Sequence, residues 1–378
     1  MKILFFNHDS NLGGASRALV ELIDGLQGND VNCMVVLPSR GPLCNELEKK
    51  SIEYSIMRYS KWTGQPKYLF KKQPLKYIKQ HLRFVKKLLI TIRSVFYLHR
   101  LLKPWNPDLI ITNTSVIYFG YVYSVIYRQK HIWHLREFLD HGLHLIVPKS
   151  FFYFLLKLSS GVVFTSFSLK SHTLPEYKKG YVIYDGPVSK EDFNRRKVNI
   201  HDGIFKFVII GIIDENKNQK EAIKALSLLI KQGYNVSLNV VGRGNYKPLK
   251  DLAENLKISS FVHFSGYLDD PFSAYYNANS LLICSKSEGF GRVIIEAMAF
   301  GIAVIGYDNG RGTSELITHQ YNGLLYKNAE AGLAEQMKII IDNRNLREII
   351  ENNAWEHARK YFTKDSHVKN FENLIMEL

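Results

Sequence analysis

Short apolar runs alternate with helical patterns along the whole chain. Each run is followed by a polar or glycine-containing stretch; the runs are KILFF from Lys2, CMVVL from Cys33, DLIIT from Asp108, GVVFT from Gly161, FKFVIIG from Phe205, VSLNVVG from Val236, SLLICS from Ser280 and AVIGY from Ala303. Such runs are typical of strands that are buried on both faces. Strands that alternate with helices predict βαβ units and parallel sheets.

A polar stretch without periodicity, GPVSKEDFNRRKVNIHDG, divides these runs into two groups. The sequence therefore predicts an α/β protein with two Rossmann-like, doubly wound domains that face a central cleft. We expect an N-terminal domain over 1–186, a linker over 187–203 and a C-terminal domain over 204–350. Residues 351–378 are expected to form a helical tail that packs back toward the N-terminal domain. A chain of 378 residues is long enough for two domains of this kind.

The positive charge of the chain, +15 in total, is concentrated in one segment. Residues 61–103 contain twelve Lys and Arg and no Asp or Glu, and from Pro74 onward apolar residues recur at steps of three and four. A basic amphipathic helix of this kind suits an anionic membrane surface. Nucleic acid is not the expected partner, because the segment has no recognisable binding motif. The alternative is that its apolar face packs on the N-terminal sheet.

The cysteines and the apolar stretches bear on the cellular compartment. Cys33, Cys44 and Cys284 form no C-x-x-C pair, so neither a disulfide framework nor a zinc site is indicated. The start of the chain, MKILFFNHDS, lacks the long apolar stretch of a signal peptide. Runs of about 18 apolar residues, as a spanning helix needs, do not occur. We expect a cytoplasmic protein that is peripheral at the inner leaflet of the cell membrane.

Two stretches of the N-terminal half carry candidate site residues. In NLGGASRALVELIDGL, Gly13 and Gly14 open a helix whose free N–H groups suit a phosphate or sugar oxygen. In HIWHLREF, His134 can donate to a substrate hydroxyl or phosphate, and Arg136 and Glu137 stand beside it. The alternatives are an ordinary strand-to-helix turn and a histidine satisfied in the core.

Two stretches of the C-terminal half carry the others. In GIIDENKNQ, Gly211 ends a strand and Lys217 precedes a helix, where lysine can act as a point charge for a diphosphate. In SEGFGRVIIEAMAFG, a loop with Gly289, Phe290 and Gly291 leads into a helix, and seven residues separate its two glutamates. Glu288 can accept hydrogen bonds from sugar hydroxyls. Glu296, early in the helix, can accept both hydroxyls of a ribose. The alternative is two incidental surface glutamates.

These stretches, in this order, resemble glycosyltransferase family 4, whose members are retaining, nucleotide-sugar-dependent enzymes of the GT-B fold. The resemblance includes VFTSFSLK and GRGTSELI, and the E-x7-E pair is its strongest mark. It implies that Glu288 contacts the donor sugar, Glu296 the ribose and Lys217 the diphosphate. It also places His134 near the donor sugar, and the Gly13–Gly14 loop near the donor phosphates or the acceptor. The domain over 1–186 would then bind the acceptor, and the domain over 204–350 would bind the nucleotide-sugar donor.

One position departs from the family. Ile212 stands where many members have an arginine, so diphosphate neutralisation rests on Lys217 alone or is shared with Arg292 or Arg311. Arg17, Arg136 and Glu137 are further candidates for acceptor or phosphate contacts.

The resemblance implies transfer of a sugar, most simply from a UDP-sugar, to a lipid-linked or saccharide acceptor in bacterial polysaccharide or glycolipid synthesis. No cofactor is expected, and the absence of an Asp-x-Asp motif favours metal independence. The alternatives are a nucleotide-sugar epimerase or phosphorylase of the same fold and a non-catalytic, membrane-docking subunit.

Overall fold

A computed structural model describes residues 1–27, 31–64, 74–139, 144–195, 203–268, 270 and 272–378. The chain divides into two compact units, Met1–Asp185 with Lys364–Leu378, and Gly186–Thr363. Each unit is built on a parallel sheet that is covered by helices. The predicted pair of Rossmann-like α/β domains is confirmed.

The described residues of the first unit form a seven-stranded sheet in the order β3-β2-β1-β5-β6-β8-β9, and its neighbouring strands all run parallel. A short antiparallel pair, β4 and β7, lies outside it. The strands are β1 (Lys2–Phe6), β2 (Asn32–Leu37), β3 (Glu53–Ile56), β4 (Thr63–Gly64), β5 (Leu109–Thr112), β6 (Lys130–Leu135), β7 (His144–Leu145), β8 (Gly161–Phe164) and β9 (Gly180–Val182). Strand β5 and strand β8 are buried throughout, as their apolar sequences predict.

The helices of the first unit contribute buried apolar residues to the core clusters around this sheet. Up to β9 they are α1 (Gly14–Gln27), α2 (Pro42–Lys49), α3 (Pro74–Leu102), α4 (Phe119–Tyr127), α5 (Lys149–Leu158) and α6 (Phe167–Thr173). Helix α6 begins where the hydroxyl of Ser166 accepts a hydrogen bond from the N–H of Leu169 at 3.1 Å, which satisfies one otherwise unpaired donor.

A buried histidine in the first unit makes its stability depend on pH. The Nε2 of His131 lies 2.9 Å from the hydroxyl of Thr112, and burial lowers the pKa of His131 to about 3. The unfolded chain binds a proton at this residue below about pH 6.5, whereas the folded chain does so only near pH 3. Stability should therefore fall by up to about 1.4 kcal/mol per pH unit as the pH drops through this window.

We expect the variant His131→Gln to flatten this dependence. Urea unfolding at several pH values between 6.5 and 4 would measure the free energy of unfolding of each variant. Exposed His263 of the second unit provides the matched control, and His263→Gln should leave the slope as in the wild type. An unchanged slope in His131→Gln would contradict the prediction.

The described residues of the second unit form a six-stranded parallel sheet in the order β12-β11-β10-β13-β14-β15. The strands are β10 (Phe205–Ile210), β11 (Val236–Val241), β12 (Val262–Gly266), β13 (Ser280–Ile283), β14 (Ala303–Tyr307) and β15 (Leu324–Tyr326). The helices are α7 (Gln219–Lys231), α8 (Lys247–Asn255), α9 (Ser273–Tyr276), α10 (Arg292–Ala299), α11 (Gly312–Leu316), α12 (Ala329–Asp342) and α13 (Arg344–Tyr361). One apolar core joins strands β10, β11 and β14 to helices α7 and α12.

The division of the chain differs from the predicted boundaries at two places. The start of the expected linker belongs to the second unit, because Val188 pairs with Thr363 and Phe193 packs edge-on against Trp355. The rest of that linker, 196–202, lies outside the described residues. The expected tail is also divided: α13 stays in the second unit, where Ala354 is fully buried, and only the following helix joins the first unit.

That last helix, α14 (Lys364–Glu377), completes the core of the first unit. Phe371 and Leu374 are buried in the same cluster as residues of β1, β5 and α1. Gly25 of α1 lies directly against α14, where a Cβ on the glycine would stand 2.3 Å from the side chain of Val368. The close approach of the two helices therefore requires glycine at this position.

Residues 74–102 of the basic segment form the 29-residue helix α3, with one face turned inward. Val95 and Leu98 are buried in a core cluster of the first unit, whereas the apolar stripe predicted from the sequence is largely exposed. The exposed members of that stripe are Leu75, Ile78, Leu82, Val85, Leu89 and Phe96. Among the described residues, the helices are too short or too polar to cross a membrane.

Candidate functional site

The order of strands in the second unit identifies where a ligand can bind. Strand β10 lies between β11 and β13. Strands β11 and β12 are added on one side of β10, and β13, β14 and β15 on the other, so the strand order reverses at β10. In open parallel sheets, ligands bind beyond the carboxyl ends of the strands at such a reversal. Here these ends carry the β10 loop (211–218) and the β13 loop (284–291), which contain the predicted Lys217 and Glu288.

Lys217 and Glu288, which are 71 residues apart in the sequence, form an ion pair at this edge. The Nζ of Lys217 donates to Oε2 of Glu288 at 2.7 Å, and the side chains are 23% and 17% exposed. The structure thus brings together the two residues that the sequence assigned to the diphosphate and the donor sugar. A partly buried cation beside a carboxylate can bind an anion and a hydroxyl side by side.

Asn216 fixes the two loops against each other. Its amide Nδ2 donates to the carbonyl of Ser287 at 2.9 Å, and its Oδ1 accepts from the N–H of Ser287 at 3.0 Å. Its backbone carbonyl also accepts from the N–H of Lys286 at 2.9 Å. These three bonds hold the β13 loop in place, so the Lys217–Glu288 pair is preorganised.

Glycines allow the close contacts around this pair. Gly211 has a φ of +154°, and a Cβ there would meet the side chain of Lys217 at 3.1 Å. A Cβ on Gly242, at the end of β11, would lie 1.8 Å from the carbonyl oxygen of Gly211, so the loops after β10 and β11 touch through their backbones. Gly291, with a φ of +102°, turns the β13 loop into helix α10.

Glu296 lies on α10, the helix that follows the β13 loop. Its side chain is only 7% exposed, and its Oε2 accepts from the hydroxyl of Tyr275 at 3.2 Å. Burial, with the nearby carboxylate of Glu296, raises the pKa of Tyr275 well above its usual value, so this phenol remains a donor. Binding of both ribose hydroxyls by Glu296 stays a prediction.

The remaining candidates of the second unit lie in the β13 loop or close to it in the chain or the fold. Gly289 is half-buried, whereas Phe290 is buried and packs against Phe362 with ring centroids 5.8 Å apart. Arg292 begins α10, and Nη1 of Arg311 donates to the hydroxyl of Ser287 at 2.5 Å. Ile212, where the family often has arginine, is 61% exposed.

In the first unit, the strand order reverses between β1 and β5, and the loops after these strands are joined by amide side chains. Nδ2 of Asn113 donates to Oδ1 of Asn7 at 3.1 Å, and Nδ2 of Asn7 donates to the hydroxyl of Ser16 at 3.0 Å. Gly13 and Gly14 are exposed at the start of α1, and Arg17 lies half-buried on its first turn. The predicted glycine loop therefore stands at the carboxyl edge of the sheet.

The structure places His134 and Arg136 in the interior of the first unit. His134 is fully buried against Phe371, and burial together with Arg136 holds the pKa of this imidazole well below its usual range. Nη1 of Arg136 donates to both carboxylate oxygens of Asp185, at 2.7 and 2.8 Å, and both side chains are buried. Nε of Arg136 donates to Asn113 at 2.8 Å. Nε2 of His134 is buried and has no hydrogen-bond partner among the described residues, so a contact of His134 with the donor sugar stays a prediction.

Glu137 points instead to the residues after β5. Its two carboxylate oxygens accept from the hydroxyl of Thr114 at 2.8 Å and from the N–H and hydroxyl of Ser115 at 3.2 and 3.1 Å. His8, at the end of β1, lies near this carboxylate, and burial lowers its pKa despite the attraction of Glu137 and Asp9. Its buried Nδ1 has no hydrogen-bond partner among the described residues.

Three residues near the candidate sites were not predicted from the sequence, namely His8, Asn216 and Ser287. Each follows the end of a predicted strand, and that position was the available signal for His8. The roles of Asn216 and Ser287 depend on contacts across about 71 positions of the chain, which the sequence alone does not reveal.

Known protein structures include ones with the same fold. The structure aligns over its full length with all of a crystal structure of Anabaena HepE in complex with UDP and glucose, with a TM-score of 0.77 and 22% sequence identity. Two Rossmann-like units of this kind make up the GT-B fold. Residues 190–357 match the family model of glycosyl transferases group 1. This match covers nearly all of the second unit, and the narrower assignment to family 4 stays a prediction.

Curated relatives match part of the chain. The chain is 28% identical to a poly(glycerol-phosphate) alpha-glucosyltransferase of Bacillus subtilis. The match covers 46% of this chain and 26% of that relative. The chain is also 29% identical to an N-acetylgalactosaminyltransferase of Campylobacter jejuni, whose name includes a diphosphate-linked undecaprenol. This match covers 43% of this chain and 45% of that relative. The chain thus spans less than half of the length of either relative.

Proposed function

We propose that this protein is a retaining glycosyltransferase that moves a sugar from a nucleoside-diphosphate sugar, most simply a UDP-sugar, to an acceptor hydroxyl. The observation that carries the proposal is the Lys217–Glu288 ion pair, held at the strand-order reversal of the unit that matches the model of glycosyl transferases group 1. The UDP in the similarly folded HepE supports the choice of nucleotide.

The two residues would have complementary tasks. Lys217 would bind the diphosphate and stabilise the charge that grows on it as the bond from the anomeric carbon to the phosphate oxygen breaks. Glu288 would accept hydrogen bonds from the sugar hydroxyls and orient the ring. The acceptor oxygen would bond to the anomeric carbon from the face that the diphosphate leaves, and its proton would pass to the departing phosphate. Glu296 would bind the ribose.

The donor is tested first. Purified protein would be incubated with UDP-, GDP- and dTDP-sugars, with and without a chelator, and released nucleotide measured by mass spectrometry. We expect one nucleoside diphosphate to be released, in the same amount with and without chelator, because the proposed transfer does not need a metal. A change of the sugar without release would favour an epimerase. If the protein shows no turnover of any donor and no thermal stabilisation by nucleotide, a non-catalytic docking subunit is favoured instead.

The acceptor is proposed to be lipid-linked, at the cytoplasmic leaflet of a bacterial membrane. The observation in favour is the exposed apolar stripe of α3 among Lys and Arg side chains. Apolar side chains that lie between cations can enter the headgroup region of an anionic bilayer while the cations bind lipid phosphates. The diphosphate-linked undecaprenol in the name of the Campylobacter relative supports the same class of acceptor.

Binding to anionic vesicles should depend on this stripe. We expect the protein to co-sediment with phosphatidylglycerol-containing vesicles at low salt, and less so at high salt because ions screen the attraction. The triple variant Leu82→Ser, Val85→Ser, Leu89→Ser should bind at least about tenfold more weakly, since it removes three exposed apolar side chains. Val125→Ser, at an exposed apolar residue of α4, is the control. Equal sedimentation of the triple variant would contradict a role for α3.

A further inference from the structure

Arg311 lies in the loop after β14, and this loop is pressed against the β13 loop. The N–H of Gly312 donates to the carbonyl of Glu288 at 3.1 Å, and Nδ2 of Asn309 donates to the carbonyl of Ser285 at 3.0 Å. A Cβ on Gly312 would stand 2.7 Å from that same carbonyl oxygen of Glu288. The backbone at Arg311 is therefore fixed beside the Lys217–Glu288 pair.

The side chain of Arg311 turns toward that pair. Its Nη1 donates to the hydroxyl of Ser287 at 2.5 Å, and Ser287 directly precedes Glu288. Lys217 reaches Glu288 from the β10 loop at 2.7 Å. Cations from the neighbouring strands on either side of β13 thus meet at two consecutive residues of its loop.

The charges at this edge indicate that a second cation is needed. The ion pair of Lys217 and Glu288 has no net charge, whereas a nucleoside diphosphate carries more than one negative charge. Ile212 adds no charge. Asp308, the carboxylate in the loop of Arg311, accepts from the hydroxyl of Ser314 at 2.8 Å and pairs with Lys327 at 3.2 Å. Its charge is therefore already compensated by a lysine.

We propose that Arg311 binds the diphosphate of the donor and supplies the positive charge that the Lys217–Glu288 pair lacks. The planar guanidinium presents several N–H donors in a fork that matches phosphate oxygens, so it can contact Ser287 and a phosphate together. This inference rests on the proposed function, because it assigns a residue to the same donor site.

Calorimetric titration of nucleotides tests it. The ligands are whichever of UDP, GDP and dTDP the wild type binds most tightly, and the corresponding monophosphate. We expect Arg311→Gln to weaken diphosphate binding by about 10- to 100-fold, the usual effect of losing a charged hydrogen bond, and to leave monophosphate binding nearly unchanged. Arg311→Lys should recover part of the loss. Arg344→Gln, at an exposed arginine of α13 paired with Glu348, should bind as the wild type does.

The ratio of diphosphate to monophosphate affinity separates the outcomes. A role of Arg311 in holding the loop alone would weaken both ligands by the same factor, and this result would overturn the inference. Unchanged diphosphate binding in Arg311→Gln would overturn it too, with the proposed function still standing. A wild type that binds none of the three diphosphates would overturn the proposed function and the inference together. If Arg311→Gln does not fold, the same ratio measured on Arg311→Lys decides.

Discussion

Replacing Glu288 by glutamine is expected to slow the release of nucleoside diphosphate from the donor sugar by about 100-fold. Glutamine keeps the shape of the side chain but removes the charge that Lys217 contacts at 2.7 Å, and it replaces one acceptor oxygen by an amide donor. Losing a charged hydrogen bond costs about 1.5–3 kcal/mol, and each 1.4 kcal/mol changes a rate about tenfold. The measurement is the initial rate of nucleotide release with the best donor.

A matched control for this variant lies in the same unit. Glu330 pairs with Lys224 at 3.4 Å, and both side chains are well exposed. Exposed pairs of this kind contribute little, so Glu330→Gln should leave the rate unchanged. If Lys217 and Glu288 act as a unit, Lys217→Met combined with Glu288→Gln should lose less than the product of the single losses. A Glu288→Gln protein with the wild-type rate would remove this pair from the mechanism.

Replacing Arg136 by methionine should destabilise the first unit by about 3–5 kcal/mol, because it leaves the carboxylate of Asp185 buried without its cation. The methionine retains most of the apolar volume, so the loss would reflect charge and hydrogen bonding. Chemical denaturation of the full chain, followed by a probe in the first unit, would measure the change in the free energy of unfolding.

Two further variants distinguish a buried ion pair from a general effect of substitution. Combining Arg136→Met with Asp185→Leu should recover much of the stability, since neither charge then remains buried. Lys50 pairs with Asp24 at 2.8 Å on the surface of the same unit, and Lys50→Met should cost no more than about 1 kcal/mol. An Arg136→Met protein as stable as Lys50→Met would show that the buried pair does not support the fold.

The strands that the sequence predicted are those with buried, apolar residues. Strands β5, β8 and β13 are buried throughout, and their runs were evident in the sequence. The edge strand β3, with the sequence EYSI, has no buried residue, and β9 and β15 are three residues long. β3 lacks an apolar run, and strands of three residues such as β9 and β15 are too short to show a recognisable pattern, although β15 is largely buried. The sequence pattern was therefore too weak to predict them.

The residues of the candidate site could likewise be predicted only in part from the sequence. Glycines and charged residues at strand ends could be found in the sequence, because parallel strands bring those ends to one edge. The sequence could not reveal which charges are already paired. Arg136 looked available beside His134 in HIWHLREF, yet its partner, Asp185, is 49 residues away. The contact of Arg311 with Ser287 likewise depends on how closely two loops approach.

The position of α14 sets the order in which the two units can be completed during synthesis. The second unit is continuous, so all of its residues have been made once Thr363 is joined. The first unit must wait for Phe371, Leu374 and Ile375, whose places in its core are otherwise empty. A nascent chain therefore carries an unfinished N-terminal sheet, with apolar surface exposed, while the later unit is able to fold. A ribosome-bound chain that stops at Thr363 should accordingly bind chaperones through its first half.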